Sequence, residues 1–295
     1  MTAVAGISYF IRSRYSPVLS IVYTVAFATG GIGLFAALAG DRITASAIPL
    51  LGLVTVTLWA DLLIMRVIDD VRDQDYDRVA NPQRPIASGM IQIRDLSTLI
   101  AACVTTVVAV NVFFRAGLVV IVAQLLYAAA VLVVGQRFPA TRGDNLIVNV
   151  LIGVPVQLLL YVYLFVAFIE IQHQTPDASV GVVGILILTL CAGQLEFGKK
   201  LARRPRVGER SYTNSLGYLT TLVLTIGSGA LAAALFVVAA DVSPLSKAFV
   251  ALPATGVLAY GIRYLSRKDN RWPAAVSTLG LLGTLVAFAV VGAIG

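Results

Sequence analysis

Nine long apolar stretches constrain this chain more than any other feature. They run Pro17 to Leu38, Ala47 to Ile68, Leu96 to Phe114, Leu118 to Val134, Leu146 to Phe168, Val180 to Gln194, Leu216 to Ala239, Ala248 to Leu265 and Ala274 to Ile294. Roughly 17 to 25 apolar residues in helical form cross the hydrocarbon core of a bilayer. Inside lipid every backbone N–H and C=O must be paired within the segment, which makes stretches of this kind helices. Hydrophobic residues make up 58% of the chain and charged residues 13%, against about 25% charge in a soluble domain. No polar stretch is long enough for a separate soluble domain. The fold class is therefore an all-α integral membrane protein with nine transmembrane helices, and residues 1–295 read as one domain.

The charges divide in a way that supports this count. If the N-terminus is cytoplasmic, nineteen basic residues fall on that side, from Arg12 and Arg14 through Arg66, Arg72, Arg78, Arg84 and Arg94 to Arg142, Arg267, Lys268 and Arg271. The other side holds three: Arg42, Arg115 and Lys247. Positive charge is retained on the cytoplasmic side, so the pattern predicts N-in, C-out and an odd number of spans in a multi-pass protein of the cell membrane. The net charge of +7 is then a topological bias beside anionic lipid, and nucleic acid is not an expected partner. The segment before Pro17 lacks the short apolar region and cleavage site of a removable leader. Cys103 and Cys191 fall in apolar stretches and His173 is the one histidine. Nothing here suggests a disulfide framework, a zinc site or a haem site. Arg115-Ala116-Gly117 reads as the turn of a tight helical hairpin, and Pro155 and Pro253 lie where they would kink their spans.

Two cytoplasmic loops are long. The first opens with Asp69-Asp70-Val71-Arg72-Asp73-Gln74-Asp75-Tyr76-Asp77, five of the fifteen acidic residues of the chain. On a continuous helix Asp69 or Asp70, Asp73 and Asp77 recur on one face, and Asp75 points elsewhere. Carboxylates stacked this way repel one another, and a helix C-terminus disfavours them further. A hard divalent cation relieves the repulsion, and Mg²⁺ accepts such a row when phosphate supplies other ligands. The second loop carries Glu196, Lys199-Lys200 and Arg203-Arg204-Pro205-Arg206 on the same side of the membrane. Acidic metal ligands and a basic loop facing one compartment suit a polyanion such as a diphosphate.

These residues resemble the first signature of the UbiA superfamily of intramembrane prenyltransferases. The acids match at Asp69, Asp70, Asp73 and Asp77, and the following loop matches at Arg84, Pro85, Ser88 and Gly89. The resemblance extends over the whole chain as nine spans with charged loops after the second and sixth. It implies nine helices around a central cavity that opens to the cytoplasm. It also implies a prenyl diphosphate bound through Mg²⁺, and ionisation to an allylic cation that an aromatic or other small acceptor attacks. Some members of the superfamily cyclise the chain instead. Asp69, Asp70, Asp73, Asp77 and Glu196 become the expected metal ligands. Arg72, Arg84, Lys199, Lys200, Arg203 and Tyr212 become the expected diphosphate contacts.

The chain departs from the family in its second motif. In place of a run of aspartates it has Glu196, with Lys199 and Lys200 three and four residues later, then Glu209 and Tyr212. Glu196 and the two lysines can share a helical face. The expectation is that fixed ammonium charges replace part of a second metal site, with Lys199 and Lys200 acting directly on the diphosphate. A purely topological role competes for Arg203, Arg204 and Arg206.

Asp61 stands alone within the second span, eight residues before Asp69 and on roughly the same helical face. A carboxylate at membrane depth is costly and usually faces a cavity. It admits two readings: a catalytic group that binds the acceptor hydroxyl or acts as a base, or a structural hydrogen-bond partner. Asn145 and Asn149 invite the same pair. Three function classes follow: a prenyltransferase, a terpene cyclase using the same ionisation, and a non-enzymatic carrier. The acid row speaks against the carrier, whose charges would line a path. The sequence does not separate the first two.

Overall fold

The computed structural model describes residues 3–137, 146–206, 208–266 and 269–295. Arg142, Asn145, Arg267 and Lys268 lie outside the described residues, as does the side chain of Asn149. Among the described residues the structure is helical throughout, with one isolated bridge between Ala202 and Arg271 and no strand. Nine helices among the described residues are long and apolar enough to cross a membrane. They are α1 Pro17–Ala39, α2 Ile48–Arg72, α3 Ile93–Asn111, α4 Arg115–Arg137, α5 Leu146–Gln172, α6 Ala178–Lys199, α7 Tyr218–Ala239, α8 Pro244–Ser266 and α9 Ala274–Ile294.

Most helix ends differ by a few residues from the sequence expectation, and two of the differences matter for packing or for the site. The turn between α3 and α4 falls on Val112–Phe114 rather than on residues 115–117. Phe114 folds back onto the first turn of α4 and is buried there; a Cβ at Gly117 would collide with its ring. Gly117 is thus the seat of the aromatic side chain, within the helix. Helix α2 continues past Ile68 to Arg72, so Asp69 and Asp70 belong to its last turn. Helices α5 and α8 run on through Pro155 and Pro253.

The chain divides into two compact units, Met1–Val25 with Leu51–Leu159, and Ala26–Leu50 with Leu160–Gly295. In the first unit the short helix Ala3–Phe10 packs on α3 and leads into a single π turn, Ile11–Tyr15. Ser16 breaks the helix before Pro17, a position where proline disfavours α geometry in its predecessor. The Tyr15 hydroxyl donates to the Trp59 carbonyl at 2.6 Å, and the Trp59 indole donates to Ser20 Oγ at 3.2 Å. These bonds pin the N-terminal segment along α2. Lower on α2, Asn111 donates to Thr57 Oγ1 at 2.7 Å and ties α3 to it.

In the second unit α6 packs on α7 and α9, and α8 packs on the same two. Residues 26–39 of α1 lie directly against α9. A Cβ at Gly33 would collide with the Phe288 carbonyl oxygen, and one at Gly292 with that of Gly33. Helices in lipid gain no hydrophobic drive from one another, so close backbone approach through small residues supplies their packing. The loop after α6 is closed by a core of Leu201, Leu222, Val257, Tyr264 and Trp272.

Candidate active site

The acidic row is organised by a break in the helix. Helix α2 ends at Arg72, Asp73 occupies φ −87°, ψ 3°, and a short helix Gln74–Ala80 follows. Hydrogen bonds continue across the break, Asp73 N to Asp69 O and Asp77 N to Asp73 O. Asp70 and Asp77 are buried, Asp73 is half-buried, and Asp69 and Asp75 are exposed. Asp70, not Asp69, therefore joins Asp73 and Asp77 on the inner side. Asp75 points outward and pairs with Arg78 at 3.2 Å on the surface.

Both buried carboxylates are held by guanidinium groups. Arg14 donates to Asp70 twice, Nε to Oδ2 at 2.7 Å and Nη2 to Oδ1 at 2.8 Å. Arg66, one turn before Asp70 on α2, adds a contact at 3.0 Å. Asp77 accepts from Arg84 at 2.5 Å and from Asn81 at 2.9 Å. Asp77 and Arg84 also lie close enough to Asp70 for their charges to act on it. Arg14, Arg66 and Asn81 escaped the sequence reading. The spacing of Arg66 from Asp70 is a legible signal, since residues four apart on a helix face each other. Nothing local foretells Arg14, which reaches Asp70 only because the N-terminal segment folds along α2.

The loop after Asp77 is a folded turn. Ser88 Oγ donates to the Pro85 carbonyl, Ser88 N donates to Arg84 O, and Gly89 adopts φ +75°. That left-handed position explains why a glycine follows Ser88. Pro85, Ile86 and Ile91 are buried beneath the loop, which fixes the base from which Arg84 reaches Asp77. Arg72 is half-buried at the end of α2.

In the second unit Glu196, Lys200 and Tyr212 come together. Lys200 Nζ donates to Glu196 Oε1 at 2.6 Å, the Tyr212 hydroxyl donates to the same oxygen at 3.0 Å, and the ammonium lies 5.3 Å from the centre of the Tyr212 ring. Burial, and then the Glu196 carboxylate, push the Tyr212 phenol well above its ordinary range, so its hydroxyl stays a donor. Ser211 caps the short helix Tyr212–Leu216 and so sets the direction of that ring. Lys199 is exposed.

Arg203, expected on the diphosphate, is engaged elsewhere. Its guanidinium lies between the Tyr218 and Tyr264 rings, 5.1 and 5.0 Å from their centres, and donates to the Tyr264 and Leu265 carbonyls at the end of α8. Carbonyls at a helix C-terminus lack intrahelical partners, and a guanidinium suits them. Arg203 thus anchors its loop to α8. The same loop is tied to the segment before α9 through Arg203 N to Asn270 O and Trp272 N to Leu201 O. Glu209 completes the tie, accepting from Arg206 N and from Arg271, each at 2.8 Å. Burial raises its carboxyl, but those two donors outweigh it and hold the group below the usual carboxylate range.

Asp61 is fully buried at the middle of α2. Nine residues separate it from Asp70, which is about half a turn of rotation and about 13 Å along the axis. It lies on the buried stripe Thr57, Asp61, Ile64, Ile68, whereas Asp70 continues the stripe Ala60, Leu63, Val67. Asp61 is therefore not on the face of the acid row.

A divalent cation fits the donor chemistry at Asp70, Asp73 and Asp77 within one limit. Among the described residues no three His, Cys, Asp or Glu side chains converge as a ready cage. Mg²⁺ uses one or two carboxylates when phosphate supplies other ligands, and hard carboxylate oxygens on either side of the Asp73 break meet that need. The guanidiniums that now hold Asp70 and Asp77 are the donors a phosphate group would accept from.

No family model and no curated protein matches the chain. Among solved structures it is similar to one described as digeranylgeranylglyceryl phosphate synthase in membranes, with a TM-score of 0.53 and 19% identity over 100% of both chains. The likeness shows that the two chains share a fold.

Proposed function

We propose that this chain is an intramembrane prenyltransferase. It takes a prenyl diphosphate, ionises it, and passes the prenyl group to an aromatic or other small acceptor, with Mg²⁺ held by Asp70, Asp73 and Asp77. The observation that carries this reading is the pair of buried carboxylates at the end of α2, each clamped by arginine: Asp70 by Arg14 and Arg66, Asp77 by Arg84. The resemblance of that stretch to the UbiA signature and the fold likeness to a synthase of a prenylated lipid point the same way.

Asp70, Asp73 and Asp77 would hold Mg²⁺, which would supply positive charge towards the departing diphosphate. The residues do the rest. Arg14, Arg66 and Arg84 donate to phosphate oxygens, and their hold strengthens as the C–O bond breaks and charge gathers on the leaving group. Lys200 has a phosphate-binding role in the second unit, with Glu196 and Tyr212 fixing its ammonium. Lys199 adds exposed positive charge beside it. The apolar helices exclude water from the allylic cation. The distribution of basic residues supports a location of the acid row at the cytoplasmic face of the cell membrane.

Purified protein in lipid nanodiscs, given geranylgeranyl diphosphate, Mg²⁺ and a panel of small phenol and alcohol acceptors, tests this directly. Release of diphosphate that chelation stops supports the reading; no release from any C10 to C20 prenyl diphosphate overturns it. A cyclic hydrocarbon formed without acceptor would replace transferase by cyclase.

A further inference from the structure

Two side chains near the middle of their spans face each other without satisfying one another. Asp61 of α2 lies against the amide of Gln124 of α4. Both are fully buried, and neither carboxylate oxygen of Asp61 and neither amide atom of Gln124 has a hydrogen-bond partner in bonding geometry. Four such atoms at membrane depth are expensive, because lipid offers no compensation. The polar neighbours are committed elsewhere. Thr57 donates to the Leu53 carbonyl and accepts from Asn111, and Tyr15 donates to the Trp59 carbonyl.

We infer that Asp61 and Gln124 form a hydroxyl-binding subsite between α2 and α4. A hydroxyl matches the pair: its O–H donates to the Asp61 carboxylate, and its oxygen accepts from Gln124 Nε2. A divalent cation does not match, since it needs six or more oxygen ligands and one carboxylate and one amide fall short. The subsite is on a different stripe of α2 from Asp70, so it is not part of the diphosphate cluster. That its natural occupant is the hydroxyl of the prenyl acceptor rests on the prenyl-transfer reading; that the pair binds a hydroxyl does not. Gln124 could be suspected from sequence as a lone polar residue inside a spanning stretch, but only the fold sets it opposite Asp61.

The probes are radiolabelled 4-hexylphenol and 1-dodecanol, each beside its methyl ether, bound to the full chain in nanodiscs and read by scintillation proximity against empty discs. One of the two hydroxyl probes should bind saturably, and which one does distinguishes a phenol from an alkyl alcohol. Its methyl ether should bind at least about ten-fold more weakly, because the ether cannot donate to Asp61. Asp61→Leu and Gln124→Leu should each weaken the hydroxyl probe by a similar factor, leave the ether as it was, and Asp61→Asn should recover part of the loss. Gln124→Leu decides the matter alone if Asp61→Leu does not fold. Equal binding of hydroxyl and ether, unchanged binding in the variants, or no saturable binding with only a lowered Tm in the variants would overturn the inference; the last would make the pair structural. Diphosphate release from geranylgeranyl diphosphate by the wild type is measured in parallel. If release is absent while the hydroxyl probe binds as described, the prenyl-transfer reading fails and the subsite stands.

Discussion

Arg14 meets Asp70 across 56 residues of sequence through two parallel hydrogen bonds of 2.7 and 2.8 Å, with both side chains largely buried. A forked guanidinium matches a carboxylate in a way an ammonium cannot. Arg14→Ala leaves a buried carboxylate held by Arg66 alone, and removing one partner of a buried pair costs about 3 kcal/mol or more. The expected result is a lowered Tm in detergent together with loss of turnover. Arg14→Lys should restore part of the stability and little of the activity. Wild-type turnover in Arg14→Ala would show that the N-terminal segment has no part in the site.

The exposure of the aspartates orders their substitutions. Asp70→Ala, Asp73→Ala and Asp77→Ala should each abolish turnover, and excess chelator should do the same to the wild type, reversed by Mg²⁺. Asp75→Ala removes only a surface pair with Arg78, of the kind worth about 0 to 1 kcal/mol, and should keep most activity. Asp69→Ala should resemble Asp75 more than Asp70, since Asp69 is exposed. Steady-state rates on geranylgeranyl diphosphate check the series; an Asp75 variant as inactive as Asp70 would refute the placement.

Lys200 and Arg206 separate a phosphate-binding cation from a topological one. Lys200→Met keeps the apolar stem and removes the charge that Glu196 and Tyr212 position. A lost charged donor to phosphate corresponds to roughly 1.5 to 3 kcal/mol, about ten- to a hundred-fold in kcat/KM. Arg206 is exposed, and Arg206→Met should change the rate little. Tyr212→Phe removes the second donor to Glu196 and should produce an intermediate loss. Equal, wild-type rates in all three would reduce this loop to a signal for orientation.

Glu209 predicts a pH dependence confined to the loop contact with Arg271. Its carboxyl in the fold lies below the ordinary range: burial raises it, but the Arg206 N–H and Arg271 outweigh that. A depressed carboxyl contributes stability above its unfolded value of about 4.3 and loses it as pH falls through the lower folded value. Protection of the Arg203 and Trp272 amides from hydrogen exchange, relative to the intrinsic rate at each pH, should therefore be high at neutral pH and fall below about pH 4. Glu209→Gln should exchange faster at neutral pH and show no such acid step. An acid step that persists in Glu209→Gln would assign it to another group.

Orientation is checked with single cysteines at exposed positions. Cys103 and Cys191 are buried, so a membrane-impermeant maleimide added to sealed inverted vesicles should give a low background. Asp75→Cys and Arg204→Cys should label from the cytoplasmic face, and His173→Cys and Asp241→Cys from the opposite face. Labelling of positions 75 and 204 from opposite faces would end the common-compartment arrangement.

The sequence by itself determined the nine spans and their approximate ends, because a bilayer imposes length and apolarity on each segment separately and no other part of the chain need be consulted. It marked the acid row for the same kind of reason: five aspartates in nine residues are a local anomaly. It also showed that Asp75 would point away, a matter of helical rotation alone. Rotation failed where the helix is not continuous, at Asp73, and there only the fold revealed that Asp70 turns inward and Asp69 outward. The partners of the buried acids were likewise invisible. Arg14 and Arg66 read as topological charges in sequence, and Arg84 as a diphosphate contact with no sign of its bond to Asp77, whereas Arg203 also read as a phosphate contact and is an anchor of α8. Gln124 opposite Asp61 belongs to this second class. Periodicity and hydropathy are properties of neighbours along the chain, and the pairing of charges and amides depends on which helices lie side by side. That choice is made by glycine-mediated backbone approach, as between Gly33 and Gly292, and by bonds such as Tyr15 to Trp59, so the tertiary structure alone decided which cation meets which carboxylate.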